Sequence, residues 1–153
     1  MNKIYSVNKK GYFDYNILEK FEAGVVLFGQ EVKSIKTGHI SLTSSYVVFK
    51  QSHGSTGEPY LVGTKVPPYQ PNNAGADFGE DRDRKLLLNK KEIDYLMGKV
   101  KIKGFSLIPL KIYENNGRIK LEFGLAKGKK KYDKKESIKK RDVQREINRE
   151  LSE

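Results

Sequence analysis

Residues 105–125 read FSLIPLKIYENNGRIKLEFGL and predict a β-hairpin, the most sharply defined element of the chain. Asn116 and Gly117 form the dipeptide that two-residue hairpin turns favour, because both positions need a positive φ. After the turn, apolar and charged residues alternate, so each set occupies one face of a strand. The apolar face holds Ile119, Leu121, Phe123 and Leu125, and the charged face holds Arg118, Lys120 and Glu122. The hairpin therefore predicts one face in the core and the other in solvent.

Other segments also predict short antiparallel strands. Residues 21–27 alternate between apolar and other side chains, and Gly24 within them predicts a bend or a bulge. Residues 46–49 and 60–62 are β-branched and aromatic and flank a loop with two glycines, which predicts a second hairpin. Residues 67–84 are rich in Pro, Asn, Gly and Asp and predict a long loop.

Two short helices are predicted between these strands. Residues 31–37 form the first, ended by Gly38 just beyond its last turn. Asn89 and Glu92 have the spacing of a capping box and begin the second, which runs to about Lys101. Its apolar stripe is Ile93, Leu96, Met97 and Val100. A chain of 153 residues has room for one domain with a modest core. The prediction is a mainly β fold: a small antiparallel barrel, closed or partly open, of about six strands with two to three short helices.

The charge distribution predicts a polyanionic partner. The formal net charge is +11, with 19 basic against 13 acidic residues before Lys127 and 11 against six from there on. Residues 127–141 hold nine Lys or Arg and two acids, too dense a charge to bury in a small core. Asp133 and Glu136 have capping-box spacing and predict a helix through Leu151 that lacks a broad apolar face. Such a tail is expected to order on a charged partner. The alternative is a solvated run of charge without a partner.

The sequence offers little for catalysis. His39 follows a glycine predicted to end a helix and His53 lies in a predicted loop, so both are expected to be surface or turn residues. An acidic cluster could hold a divalent cation for nuclease chemistry, but its spacing departs from that of cation-binding loops. The cluster consists of Asp77, Glu80, Asp81 and Asp83. We therefore expect no enzyme activity, no metal and no cofactor.

Cellular location is predicted from two absences in the sequence. The chain has no cysteine, which fits a reducing compartment. It also has no apolar run near the roughly 20 residues of a membrane span. A basic tail leaves a membrane-surface role open, but the apolar stripe of this tail is short and lacks aromatic anchors, so no membrane partner is expected. We predict a cytoplasmic protein.

Seven short blocks carry a resemblance to a known family. They are Asn8-Lys9-Lys10, Asp14-Tyr15, Phe21-Glu22-Ala23-Gly24, Gly29-Gln30-Glu31-Val32-Lys33-Ser34, Ser45-Tyr46-Val47, Arg84-Lys85-Leu86-Leu87-Leu88-Asn89 and Gly124-Leu125-Ala126-Lys127-Gly128-Lys129-Lys130. Their order and spacing, over roughly residues 8–142, resemble the small protein B family of tmRNA-binding proteins in bacterial trans-translation. The resemblance implies an oligonucleotide-binding (OB)-like RNA-binding barrel at residues 1–128. It also implies a basic tail at residues 129–153 that is disordered when free and helical on the ribosome.

The resemblance further implies partners and site residues. The barrel would hold the tRNA-like domain of tmRNA, with elongation factor Tu engaged indirectly through tmRNA, and carry it to stalled ribosomes. Expected RNA-binding residues are Phe13, Glu22, Lys33, Lys85, Leu87, Asn89, Lys120, Lys127, Lys129 and Lys130. Expected contacts with the ribosomal decoding centre and mRNA channel are Tyr132, Asp133, Lys134, Lys135, Ile138, Lys139 and Arg141. Phe13 stands where the family has a histidine, and Lys135 replaces the usual arginine.

Each expected RNA contact has a plainer interpretation. Glu22 can accept hydrogen bonds from a 2′-hydroxyl or a base amino group, but it could instead merely pair with a lysine. Leu87 could belong to the core, and Asn89 could be only a helix cap. The alternative functions are a generic basic barrel that binds RNA or single strands without preference, and a metal-dependent nuclease.

Overall fold

A computed structural model describes residues 3–51, 57–69 and 79–129, together with Arg141 and Arg145. In these residues the chain forms seven strands and three helices. They are β1 (Lys3–Val7), α1 (Lys9–Asp14), β2 (Tyr15–Val25), α2 (Gly29–Lys36), β3 (Tyr46–Lys50), β4 (Glu58–Val62), β5 (Arg84–Leu87), α3 (Lys90–Val100), β6 (Phe105–Asn115) and β7 (Arg118–Gly128). Arg141 and Arg145 have helical backbone. The prediction of a mainly antiparallel β fold with about six strands and a few short helices is confirmed.

The strands form one antiparallel sheet that closes on itself. Their order is β1-β6-β3-β4-β5-β2-β7, and the additional pairing of β6 with β7 closes the six strands from β6 to β7 into a ring. β1 lies outside the ring, on the free stretch of β6 beyond the point where Val47 of β3 meets Leu107. Ring closure pairs strand edges that would otherwise attract other chains.

The hairpin predicted first is the longest pairing in the sheet. Asn116 and Gly117 have φ values of 53° and 76°, which are those of the tight turn that joins Asn115 to Arg118. The four apolar residues of β7 all point into the core, with Phe123 and Leu121 fully buried. The predicted division into a core face and a solvent face is confirmed.

Helix α3 packs against the core through the predicted stripe. Leu96 is fully buried, whereas Ile93, Met97 and Val100 are half-buried. The capping box is confirmed, since the Asn89 side chain accepts a hydrogen bond from the Glu92 N–H at 2.8 Å. The helix therefore begins where the sequence predicts.

The predicted bulge at Gly24 is wrong. The register between β2 and β7 shifts between Ile17 and Glu19 instead. Gly24 stays in register and pairs with Lys120 on β7 and with Leu87 on β5. A Cβ at this position would lie 3.4 Å from Leu87 Cδ1, an ordinary van der Waals contact, so the packing around Gly24 does not by itself require glycine.

Three elements were not predicted: β1, α1 and β5. Strand β5 was not predicted because its buried positions do not follow its apolar residues. Arg84 and Leu86 are buried, and Lys85 and Leu87 are exposed. A buried arginine interrupts the apolar pattern on which strand prediction relies. The first predicted helix, at residues 31–37, corresponds to α2, which begins two residues earlier at Gly29. Gly38 lies two residues beyond the end of α2 and has a φ of 84°.

Candidate nucleic-acid interface

The outer face of β2, β5 and β7 brings together three of the expected RNA-binding residues. Gly24 pairs with both Lys120 and Leu87, so these two residues flank it on neighbouring strands. Glu22 lies two positions before Gly24, and therefore on the same face of β2. The central patch is the name we give to four residues: Glu22, Leu87, Lys120 and Asn89, the last of which follows β5.

Glu22 is an ionised hydrogen-bond acceptor in this patch. Its carboxylate accepts a hydrogen bond from the Tyr113 hydroxyl and lies 3.3 Å from Lys120 Nζ. The Tyr113 hydrogen bond, followed by the bond and charge of Lys120, lowers the pKa of Glu22 despite its partial burial. Burial and the bond to the Glu22 carboxylate raise the pKa of Tyr113. Because the Glu22 side chain is 45% exposed, RNA can still reach it.

Tyr113 is a residue that the sequence analysis missed. The signal was present in the hairpin register, since a turn joining Asn115 to Arg118 places Tyr113 opposite Lys120. What the hairpin could not show is that β2 lies on the other side of β7 and brings Glu22 within reach of Tyr113. The lysine pairing predicted as the plainer interpretation of Glu22 exists, and it orients the carboxylate.

Leu87 and Asn89 both face solvent. Leu87 is 58% exposed, so the interpretation of it as a core residue is wrong, and its neighbour Leu86 is the buried one. Asn89 does cap α3, as the plainer interpretation held. Because the cap uses its side-chain oxygen, the amide NH₂ of this exposed residue remains able to donate.

Two further expected contacts, Lys33 and Lys85, are exposed lysines, and Lys85 lies on β5 two residues before Leu87 of the central patch. Lys85 lies on β5, where its ammonium group is 3.6 Å from a Glu58 oxygen. Lys33 lies on α2. Both add positive charge without contacting Glu22, which suits them to phosphate rather than to base contacts.

Phe13 and Lys129 form a second group, which we call the end patch, while Lys127 Nζ lies 5.7 Å from the centre of the Phe105 ring. Lys127 follows Lys120 by seven residues on β7, which is about 23 Å along the strand. Lys129 Nζ lies 6.0 Å from the centre of the Phe13 ring, and Arg141 Cζ lies 5.0 Å from it. The structure thus divides the expected RNA-binding residues between two places on the surface.

Several expectations concern residues outside the described part of the chain. They include one expected RNA contact, Lys130, and every expected ribosome contact except Arg141: Tyr132, Asp133, Lys134, Lys135, Ile138 and Lys139. The predicted start of the tail helix, His53 and Asp77 also lie there.

Two of the described side chains that were considered for catalysis or metal binding have structural partners. His39 Nδ1 lies 2.8 Å from the Thr37 hydroxyl just after α2, as expected of a turn residue. Asp83 forms an ion pair with Lys50. In the described ranges, no group of three or more His, Cys, Asp or Glu side chains could hold a metal ion. None of the helices described there has the length and apolarity needed to cross a membrane.

Fold and charge together define a class: a small antiparallel β protein of high positive charge, with the composition of proteins that bind a polyanion such as RNA. The family model described as SmpB protein matches residues 5–153. The chain belongs to this family.

Curated relatives and a solved structure agree with the family. The SsrA-binding protein of Sulfurihydrogenibium sp. (strain YO3AOP1) is 50% identical over 147 residues, covering 95% of this chain and 91% of the relative. That of Acetivibrio thermocellus is 46% identical over 153 residues, covering 99% and 94%. A solved structure described as "tmRNA-SmpB: a journey to the center of the bacterial ribosome" has a TM-score of 0.66 and 42% identity. The match covers 87% of this chain and 93% of that one.

Proposed function

We propose that this protein binds tmRNA, the SsrA RNA, through its tRNA-like domain and delivers it to stalled ribosomes for trans-translation. The observation that carries the proposal is family membership over nearly the whole chain, with relatives that are SsrA-binding proteins. The likeness to an SmpB structure solved with tmRNA supports the ribosome as the destination. The protein acts by binding and not by catalysis, in the bacterial cytoplasm.

The central patch is the proposed site for the tRNA-like domain. Lys120 and Lys85 attract the RNA backbone, and the Glu22 carboxylate accepts hydrogen bonds from a 2′-hydroxyl or a base amino group. Leu87 packs against the sugar or base edge, and the Asn89 amide donates to a base. A surface with both charges and directed hydrogen-bonding groups can distinguish one folded RNA from another, whereas a purely cationic surface would bind any RNA.

The C-terminal tail is the proposed contact with the ribosome. Residues 1–128 would serve as the RNA-binding domain and residues 129–153 as a tail that forms a helix in the decoding centre and the empty mRNA channel. Tyr132 can stack on an rRNA base, and the lysines on either side can contact phosphates. Elongation factor Tu would take part through tmRNA, without a site on this chain.

A binding titration separates this proposal from generic RNA binding. The full chain is titrated at fixed salt against the isolated tRNA-like domain of tmRNA and against an unrelated folded RNA of equal length. We expect tighter binding of the tRNA-like domain, because base contacts add to the phosphate contacts that both RNAs offer. Equal affinities would favour the generic binder instead.

A further inference from the structure

The outer face of β2 continues past the central patch to an exposed aromatic residue. Ala23, Val25 and Leu27 point inward and pack in the core. The alternate residues Glu22, Gly24, Val26 and Phe28 therefore point outward. Val26 extends the pairing with β5, since its N–H donates to the Lys85 carbonyl at 2.9 Å. Phe28 thus ends a stripe that begins at Glu22, up to about 20 Å away along the chain.

Phe28 is backed by an arginine whose position is fixed. Phe28 is 58% exposed, and the guanidinium carbon of Arg82 lies 4.0 Å from the centre of its ring. Arg82 donates two hydrogen bonds to the carboxylate of Glu31, a residue with no exposed surface. A third bond from Arg82 reaches the Val26 carbonyl at 3.4 Å. These bonds hold the guanidinium group over the ring.

The carboxylate that holds Arg82 is itself firmly placed. Arg84, which is 1% exposed, donates to Glu31 at 2.8 Å, and the Phe28 N–H donates to it at 2.9 Å. Burial opposes ionisation of Glu31, but the bonds from Arg82 and Phe28 and the charge of Arg84 outweigh it and lower the pKa of Glu31. Arg84 stays charged at any pH at which proteins fold. The aromatic ring and its cation therefore rest on a buried ionic cluster.

We propose that the Phe28 ring, backed by Arg82, is a stacking platform for an unpaired base of the RNA that lies across the central patch. Nucleobases stack on aromatic rings and on guanidinium planes, and here both are joined. The platform is continuous with the central patch through Val26 and Leu87, which are exposed as well. Arg82 and Lys85 make its surroundings cationic, which suits RNA. The inference rests on the proposed function and adds a contact to it.

The absence of tryptophan from the chain allows a direct test of stacking. In Phe28→Trp, the introduced side chain is the sole tryptophan, and stacking with a base is expected to quench its fluorescence when the tRNA-like domain of tmRNA is added. The matched control is Ile102→Trp, because Ile102 is a comparably exposed apolar residue that follows α3. We expect no quenching in the control at the same saturation.

Affinity supplies the second measurement. Phe28→Ala and Phe28→Leu should weaken binding of the tRNA-like domain about tenfold, because both remove the aromatic ring. Phe28→Trp and Ile102→Ala should bind within about twofold of the original chain. Thermal unfolding checks that each variant folds, which is expected because both positions are exposed.

Each outcome decides the question. If the original chain prefers the tRNA-like domain but Phe28→Trp is not quenched, the platform is refuted, whatever the affinity of Phe28→Ala. Affinity retained by Phe28→Leu and lost by Phe28→Ala would assign Phe28 to an apolar contact and also overturn stacking. If the original chain shows no preference for the tRNA-like domain, the proposed function fails first, and this extension fails with it.

Discussion

Glu22 shows how an acidic side chain can belong to a cationic surface. Tyr113 and Lys120 both bond its carboxylate, which keeps it ionised and limits its rotamers. An RNA group that donates to this carboxylate meets an acceptor whose orientation is already set. The structure therefore favours a directed contact at Glu22 over simple attraction between opposite charges.

Substitution of Glu22 by lysine separates these two possibilities. If charge alone mattered, Glu22→Lys would tighten RNA binding. We expect it to weaken binding of the tRNA-like domain by about 1–3 kcal/mol, because the RNA donor loses its acceptor. Isothermal titration or fluorescence anisotropy measures the change.

Glu19 offers a matched control for this charge change. It lies three residues earlier on β2 and also accepts a hydrogen bond from a tyrosine, Tyr95. Glu19→Lys should leave binding unchanged or tighten it slightly. If both variants bind more tightly than the original chain, Glu22 is not part of the site.

Tyr113→Phe tests the support of Glu22 through its pH dependence. The folded-state pKa of Glu22 lies below its ordinary value chiefly because of the Tyr113 bond. The corresponding stability is therefore present above the ordinary glutamate pKa of about 4.3 and is lost as the pH falls through the folded-state pKa. In Tyr113→Phe we expect the Glu22 pKa to rise towards its ordinary value.

The measurement is a carboxyl NMR titration of both proteins. The Glu22 resonance should have its midpoint at higher pH in Tyr113→Phe than in the original chain. An unchanged midpoint for Glu22 would mean that Lys120 alone holds the carboxylate. The stability effect should be small, since Glu22 is nearly half exposed.

Helix α3 begins at Asn89, a helix cap for which we also propose contact with RNA. Asn89 caps the helix through its side-chain oxygen, and the same exposed side chain carries an amide donor beside Leu87. Because the cap orients Asn89, the start of the helix and the shape of the RNA surface depend on each other. A comparison of two substitutions can separate these tasks.

Asn89→Ser should keep the cap and lose the amide donor. We expect its thermal stability to equal that of the original chain, because serine caps helices about as well as asparagine. Asn89→Ala should lose about 1 kcal/mol of stability. Both should bind the tRNA-like domain more weakly than the original chain, as measured beside denaturant unfolding curves. If Asn89→Ser binds normally, Asn89 is only a cap.

The molecule as a whole keeps its two candidate contact areas apart. The ring places the central patch on the outer face of β2, β5 and β7, and the end patch lies where β7 leaves the ring towards the tail. Positive charge is spread over both the body and the tail. Discrimination among RNAs and attraction to the ribosome are therefore expected to depend on different parts of the chain.

A chain that ends at Gly128 tests this division. The removed segment carries ten Lys or Arg and six acids, so its loss should flatten the salt dependence of RNA binding. Preference for the tRNA-like domain over an unrelated RNA should remain, because the central patch is intact. Circular dichroism and thermal unfolding serve as the folding control.

The same truncated chain should fail on the ribosome. Peptidyl transfer to tmRNA is measured in a reconstituted reaction on ribosomes that carry truncated or full-length mRNA. With the original chain we expect transfer only when the mRNA is truncated, since intact mRNA would occupy the channel that the tail enters. Undiminished transfer with the chain ending at Gly128 would refute the role of the tail.

Local patterns were enough to predict the elements that depend on near neighbours. Asn116 and Gly117 specify a turn between adjacent strands, and Asn89 and Glu92 specify a helix start, because their partners lie within a few residues. The alternation in β7 likewise predicts which side chains are buried. The resemblance to a family also rested on sequence alone and was confirmed.

The tertiary structure decided whatever depends on distant partners. Tyr113 reaches Glu22 across 91 positions of sequence, and Arg84 reaches Glu31 across 53. No local pattern shows that β5 can bury an arginine, since the burial becomes favourable only when a carboxylate from α2 meets it. The pairing of β2 with β5 and β7 likewise decides that the outward stripe from Glu22 to Phe28 lies beside the other expected RNA-binding residues. Local chemistry specified the turns and caps, and strand pairing between distant segments created the proposed binding surface.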